Sequence, residues 1–130
     1  MYERDWRQIL VQAYSFTSKP IAKALLDAKK RGVNIEAVLD KSNVTTKYSV
    51  AAFLSNAGIP VLIDDKHAIA HNKVIIIDRA TLITGSFNFT TAAESKNAEN
   101  LLVIKGNHKL VEPYIQNYEE HKGHSTAYGR

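Results

Sequence analysis

The sequence contains no cysteine, so it can form neither a disulfide framework nor a thiolate metal site. No apolar stretch approaches the roughly 20 residues that a membrane-spanning helix requires. The amino terminus, Met1 to Arg7, is charged and lacks the apolar region of a signal peptide. We therefore expect a soluble chain; an exported form would need a leader that these residues do not contain.

The composition is that of an ordinary globular protein, with 45% hydrophobic and 23% charged residues among 130. This length predicts one domain over residues 1–130, which ends in a polar tail at 123–130. The formal net charge is +4, a mild positive bias that is compatible with binding a polyanion.

Strand-like and helical patterns alternate in the first half of the chain, and the second half resembles hairpins. Ser18 is a candidate helix cap with Pro20 in the first turn, and Gly32 is a candidate terminator. Helices are predicted over 18–31, 50–57 and 110–118, and strands over 8–16, 34–40, 59–63, 73–77, 81–84 and 100–104. We predict an α/β fold in which helices flank a mixed β-sheet.

The central segment concentrates the polar groups that suit a phosphate. His71 and Lys73 lie two residues apart at the start of a predicted strand, so their side chains share one face. Ser86 and Asn88 share a face if their segment is also extended. The set combines a nucleophile or base, a cation and two hydrogen-bonding groups.

Strand parity separates Asp78 from this set. It lies five residues from Lys73, an odd interval, so on a regular strand it points to the other face. We expect Asp78 to act in the turn, holding Arg79 or backbone N–H groups. Ile75 and Ile77 share the face of Lys73 and are expected to lie deeper.

The motif His-x-Lys, four residues, Asp, followed by a turn with Ser and Asn, resembles the signature of the phospholipase D superfamily. Further blocks in the same order strengthen the resemblance to its small bacterial endonucleases: AYSFT, AKKRGV, NAGIP, HNKVIIID, TGSFNFT and AAESKNAEN. The superfamily fold is an α-β-α sandwich. Its members usually begin with a further strand and helix, which we expect to be missing here, where residues 1–10 form a divergent amino-terminal segment in their place.

The resemblance also implies site residues. His71 would be the nucleophile that forms a phosphohistidine, while Lys73 and Asn88 would bind the non-bridging oxygens. Ser86 would donate a further hydrogen bond, and Glu99 would orient the histidine ring. Glu99 is preferred to Glu94 because it adjoins a strand and keeps the family register. No cofactor or metal is expected, because lysines supply the positive charge.

Superfamily chemistry uses two histidines, yet this chain carries one copy of the motif. We therefore expect a homodimer that joins two half-sites. The expected activity is sequence-nonspecific cleavage of DNA, or of RNA, without stable membrane association. A lipid phosphodiesterase and an inactive nucleic-acid-binding dimer remain the alternatives.

Other histidines have plainer explanations. His67 and His71 lie four apart near Asp64 and Asp65, but such a pair converges only on a helix, and the following sequence is strand-like. His121 and His124 are expected on the surface or as basic contacts to phosphate. A lone His-x-Lys on a strand is usually a solvated edge; the Ser-x-Asn turn and Glu99 argue against that here.

Overall fold

A computed structural model of the chain describes residues 6–14, 16–45, 50–65, 73–85 and 101–128. The strands within these ranges are β1 (Gln8–Ala13), β2 (Asn34–Asp40), β3 (Val61–Asp64), β4 (Lys73–Ile77), β5 (Thr81–Gly85), β6 (Leu101–Ile104) and β7 (Thr126–Ala127). The helices are α1 (Lys19–Lys30), α2 (Ser42–Thr45), α3 (Ala51–Asn56) and α4 (His108–Gly123).

These strands form one mixed sheet in the order β6-β5-β4-β1-β2-β3-β7. β1, β2 and β3 are parallel, whereas β4 runs antiparallel to β1. The carboxyl ends of the three parallel strands therefore lie at the same edge as the amino end of β4. At that edge Ala13 pairs with Lys73, and Asp40 pairs with Asp64.

Helices cover both faces of the sheet. The first face packs alternate residues of β1 and β2 against buried side chains of α1 and α3, including Leu25 and Leu54. The second face packs the intervening strand residues against the buried side chains of α4, which are Val111, Ile115 and Tyr118. The predicted α/β sandwich around a mixed sheet is confirmed.

Local sequence explains the bounds of α1. Ser18 is the N-cap, and its Oγ accepts a hydrogen bond from the Ile21 backbone N–H at 3.3 Å. Pro20 lies in the first turn, where its missing N–H leaves no helical bond unmade. Gly32 follows the helix with φ of 93°, a left-handed conformation that glycine adopts without a Cβ clash.

Two parts of the chain differ from the predicted element bounds. β1 ends at Ala13, and Phe16 is only an isolated bridge after a bend at Tyr14. At the other end, α4 continues to Gly123, and Thr126–Ala127 forms β7 within the segment predicted as a polar tail. Contacts with strands distant in the sequence stabilise this segment. β7 pairs with β3, and the last turn of α4 contacts β2 and β3. Among the described residues, no helix is long and apolar enough to cross a membrane.

Candidate active site

Lys73, the candidate phosphate-binding cation, begins β4 at the edge where the parallel strands end. Its backbone carbonyl accepts a hydrogen bond from Thr84 Oγ1 at 3.0 Å. Val74 pairs with Thr84 in the β4–β5 register, so the start of β4 lies beside the end of β5. β4 and β5 are joined by a turn at their other ends. At this edge of the sheet, the start of β4 and the end of β5 therefore lie side by side.

The Lys73 side chain shares a face with Ile75, as strand parity predicts, and Ile75 packs against the core beneath α1 and α3. Its Nζ lies 5.9 Å from the centroid of the Tyr14 ring. A cation at this distance from an aromatic face is attracted by the ring quadrupole. Tyr14 therefore restricts the position of the ammonium group of Lys73, a half-buried residue.

Asn43 holds the backbone that carries Tyr14. Its Nδ2 donates hydrogen bonds to the carbonyl oxygens of Tyr14 at 2.7 Å and Asp40 at 3.0 Å. Its Oδ1 accepts a hydrogen bond from the Phe16 N–H at 3.4 Å, and the side chain is buried. Asn43 was not among the residues predicted from the sequence, although an asparagine just after a buried strand is a signal of side-chain-to-backbone hydrogen bonding.

Asp78 lies at the opposite end of β4 from Lys73. Its Oδ1 accepts hydrogen bonds from the backbone N–H groups of Arg7 at 2.8 Å and Gln8 at 2.9 Å. Asp78 and Arg79 have φ of 53° and 58°, as a tight turn between antiparallel strands requires. The Asp78 carboxylate therefore fastens the start of β1 to this turn and lies far from the candidate phosphate site.

The other candidate site residues, His71, Ser86, Asn88 and Glu99, lie outside the described residues, as does His67. Their roles stay predictions. In the sequence, His71 precedes Lys73 by two residues, and Ser86 directly follows the last residue of β5.

A second polar cluster lies on the face covered by α4. Asp64 at the end of β3 is fully buried, and its Oδ2 lies 2.5 Å from His121 Nδ1 and 3.2 Å from His124 Nε2. In the sequence, the histidines near Asp64 and Asp65 are His67 and His71. In the described part of the chain, the histidines that meet Asp64 are instead those at the end of α4.

Beside this cluster, Glu36 of β2 holds the same end of α4. The Tyr118 hydroxyl donates a hydrogen bond to Glu36 Oε1 at 2.8 Å, and Lys122 Nζ lies 3.0 Å from the same oxygen. Burial raises the pKa of Tyr118, and the negative charge of Glu36 raises it further. The phenol therefore stays a hydrogen-bond donor across the physiological range.

The fold and the motif together indicate the class of phospholipase D-like α/β domains. The sheet is mixed and covered by helices on both faces, and the lysine of a His-x-Lys-x4-Asp motif lies at its edge. A family model described as "Cardiolipin synthase, PLD-like domain" matches residues 6–122. The chain belongs to this family.

Similar proteins agree with this assignment. Phospholipase D of Rickettsia prowazekii is 46% identical over 125 residues, covering 96% of this chain and 60% of that protein. Human mitochondrial cardiolipin hydrolase is 32% identical over 106 residues, covering 82% of this chain and 42% of that protein. The crystal structure of Nuc, a phospholipase D family member from Salmonella typhimurium, matches with a TM-score of 0.90 and 44% identity, covering 94% of this chain and 82% of Nuc.

The predicted membership of the phospholipase D superfamily is thus confirmed. The chain spans about 60% of the length of the curated Rickettsia relatives that it matches.

Proposed function

We propose that this domain is a metal-independent phosphodiesterase that cleaves nucleic acids without sequence preference. The observation that carries the proposal is the position of Lys73, at the sheet edge where β4 and β5 present their ends side by side. The segments that contain His71, Ser86 and Asn88 adjoin these two strand ends in the sequence. A phosphate bound there would meet groups from both segments.

In the proposed reaction, the His71 imidazole attacks the phosphorus, so that a P–N bond forms while the bond to the leaving oxygen breaks. Lys73 and Asn88 bind the non-bridging oxygens, whose charge grows in the transition state. Ser86 adds a hydrogen bond, and Glu99 fixes the imidazole tautomer. Water then hydrolyses the phosphohistidine and releases the product.

A second histidine must protonate the leaving oxygen, and the chain carries one copy of the motif. We propose that the partner's His71 supplies this proton in a symmetric homodimer, so that two half-sites form one active site. The partner's His71 would donate a proton to the leaving oxygen in the first step and accept a proton from the attacking water in the second, when the P–N bond breaks.

Nucleic acid is the proposed substrate because the chain has a formal net charge of +4 and is similar to Nuc along most of both chains. A basic surface attracts the phosphate backbone without regard to sequence. Binding is therefore expected to weaken steeply as the salt concentration rises.

The test is digestion of supercoiled plasmid DNA in excess EDTA by the wild type and by His71→Ala, with mass measured by light scattering. We expect cleavage by the wild-type dimer and none by the variant, whose circular dichroism should be unchanged. Loss of cleavage in EDTA, by protein whose circular dichroism and melting temperature show that it stays folded, would contradict metal independence. Salt-sensitive DNA binding without wild-type cleavage would instead support an inactive binding dimer.

Lipid phosphodiester hydrolysis is the second candidate, since similar proteins bear the names phospholipase D and mitochondrial cardiolipin hydrolase. The two substrates are compared by incubating the same preparation with plasmid DNA and with cardiolipin vesicles. Phosphatidic acid release that requires His71, without nicking of DNA, would replace the nuclease proposal with the lipid one.

A further inference from the structure

We propose that Asp64, His121 and His124 form a binding site for a divalent transition metal, for which Zn²⁺ is the best match. The three side chains each offer one ligand atom, and these atoms all lie within 4.8 Å of one another. Both imidazoles direct a ring nitrogen at the same carboxylate oxygen of Asp64. The cluster thus brings two imidazole nitrogens and one carboxylate oxygen together, which is a ligand set that transition metals accept.

The ligand chemistry favours zinc. Imidazole nitrogen and carboxylate oxygen bind Zn²⁺ at about 2.0–2.2 Å in tetrahedral geometry, which places ligand atoms roughly 3.3 Å apart. The distance from His124 Nε2 to Asp64 Oδ2 is already 3.2 Å. The 2.5 Å between His121 Nδ1 and the same oxygen must widen by less than about 1 Å, which a small rotation of the imidazole achieves.

Burial supplies a reason for a cation at this position. The Asp64 side chain is 0% exposed, and a buried carboxylate is costly unless positive charge compensates it. The His124 side chain is 30% exposed, so solvent reaches the outer side of this cluster although Nε2 itself is buried.

The site is preorganised by contacts that involve neither the carboxylate nor the imidazoles. Ser125 Oγ donates a hydrogen bond to the His121 carbonyl at 2.6 Å. Beyond it, Thr126 pairs with Ile63, directly before Asp64 in β3. An ion bound here would clamp the end of α4 and the start of β7 onto β3.

The proposed metal site is separate from the proposed catalytic site. Asp64 contacts α4 on one face of the sheet, whereas Lys73 shares the other face with Ile75. The ion is therefore expected to stabilise the fold and to leave the chemistry at His71 unchanged. The two proposals fail independently, because metal binding is measured without any phosphodiester substrate.

The test is titration of metal-free protein with zinc chloride alone, followed by calorimetry and thermal unfolding. We expect one ion per chain and a rise in melting temperature. Tetrahedral Co²⁺ absorption should appear when cobalt replaces zinc. His124→Ala should weaken binding by at least about 100-fold, since even outer-shell changes at metal sites cost 10- to 100-fold.

The matched control is His108→Ala, which removes an exposed imidazole at the other end of α4 and should leave binding unchanged. Replacing the buried Asp64 could prevent folding, so the test uses His124→Ala at the more exposed histidine. Circular dichroism checks that this variant is folded. Absence of zinc binding in the wild type, or equal binding by His124→Ala, would overturn the proposal. The cluster would then be a histidine–aspartate ion pair alone.

Discussion

Lys73 and Asp78 belong to one short motif but lie at opposite ends of β4. Lys73 stands over Tyr14 at the edge where the parallel strands end, whereas Asp78 binds two backbone N–H groups in the turn. The motif thus combines a candidate substrate-binding cation with a residue that fixes the turn behind it. The two residues should respond differently to substitution.

Replacing Lys73 with methionine keeps an unbranched side chain but removes the charge. We expect the cleavage rate to fall by about 100- to 1,000-fold, the usual effect of losing one group that stabilises transition-state charge. Initial rates at matched dimer concentration measure this effect. Lys23→Met removes an exposed lysine of α1 and is the control; a Lys73→Met rate within about threefold of wild type would exclude the proposed role.

Replacing Asp78 with alanine leaves the N–H groups of Arg7 and Gln8 without their acceptor. We expect the free energy of unfolding to fall by about 1–3 kcal/mol, measured by urea denaturation. Asp78→Asn should lose less, because its amide oxygen can accept and asparagine tolerates positive φ. Folded Asp78→Ala should retain activity, and a folded but inactive variant would place Asp78 in the chemistry instead.

At the scale of elements, the last turns of α4 are held to the sheet by polar contacts, in addition to the apolar packing of the helix. Glu36 of β2 contacts Tyr118 and Lys122, and Asp64 of β3 contacts His121. These contacts explain why the helix continues to Gly123, where a polar tail was predicted. They also couple the stability of α4 to pH through the buried phenol.

The raised pKa of Tyr118 predicts a loss of stability in alkali. The unfolded chain releases this proton near pH 10 while the folded chain retains it, so the contribution of this group to stability is constant below about pH 10 and falls above it. The contribution of this group is at most about 1.4 kcal/mol per pH unit.

Tyr118→Phe should show a shallower alkaline decline, measured by urea unfolding between pH 8 and about pH 11. Tyr114→Phe, which changes a 37% exposed tyrosine on the same helix, is the control and should follow the wild type. Identical slopes for the wild type and Tyr118→Phe would contradict the assignment.

At the scale of the whole molecule, one motif per chain makes the proposed activity depend on association. Specific activity should rise with protein concentration across the range in which light scattering shows dimers forming. A monomer with full activity would contradict the shared site.

Mixing the subunits tests the same point more directly. If wild-type chains exchange with a ninefold excess of His71→Ala, about one tenth of them remain in wild-type dimers. Because a mixed dimer holds one His71, cleavage should fall by about tenfold. Mixing under conditions that prevent exchange is the control, and undiminished activity after proven exchange would show that each chain acts alone.

The sequence by itself determined the alternating elements, the face of Lys73 and the structural role of Asp78. Each depends on local periodicity or turn chemistry, which neighbouring residues encode. Family membership also followed from local motifs, and the comparisons confirmed it. The site residues outside the described ranges stay predictions.

Only the tertiary structure decided which distant side chains meet. Asp64 and His121 lie 57 residues apart, and Glu36 and Tyr118 lie 82 apart. Their contacts depend on the strand order and on where α4 crosses the sheet. Local sequence patterns predict neither of these. For this reason the histidines at the end of α4 were predicted from the sequence to lie on the surface or to contact phosphate, whereas in the fold they contact a buried carboxylate.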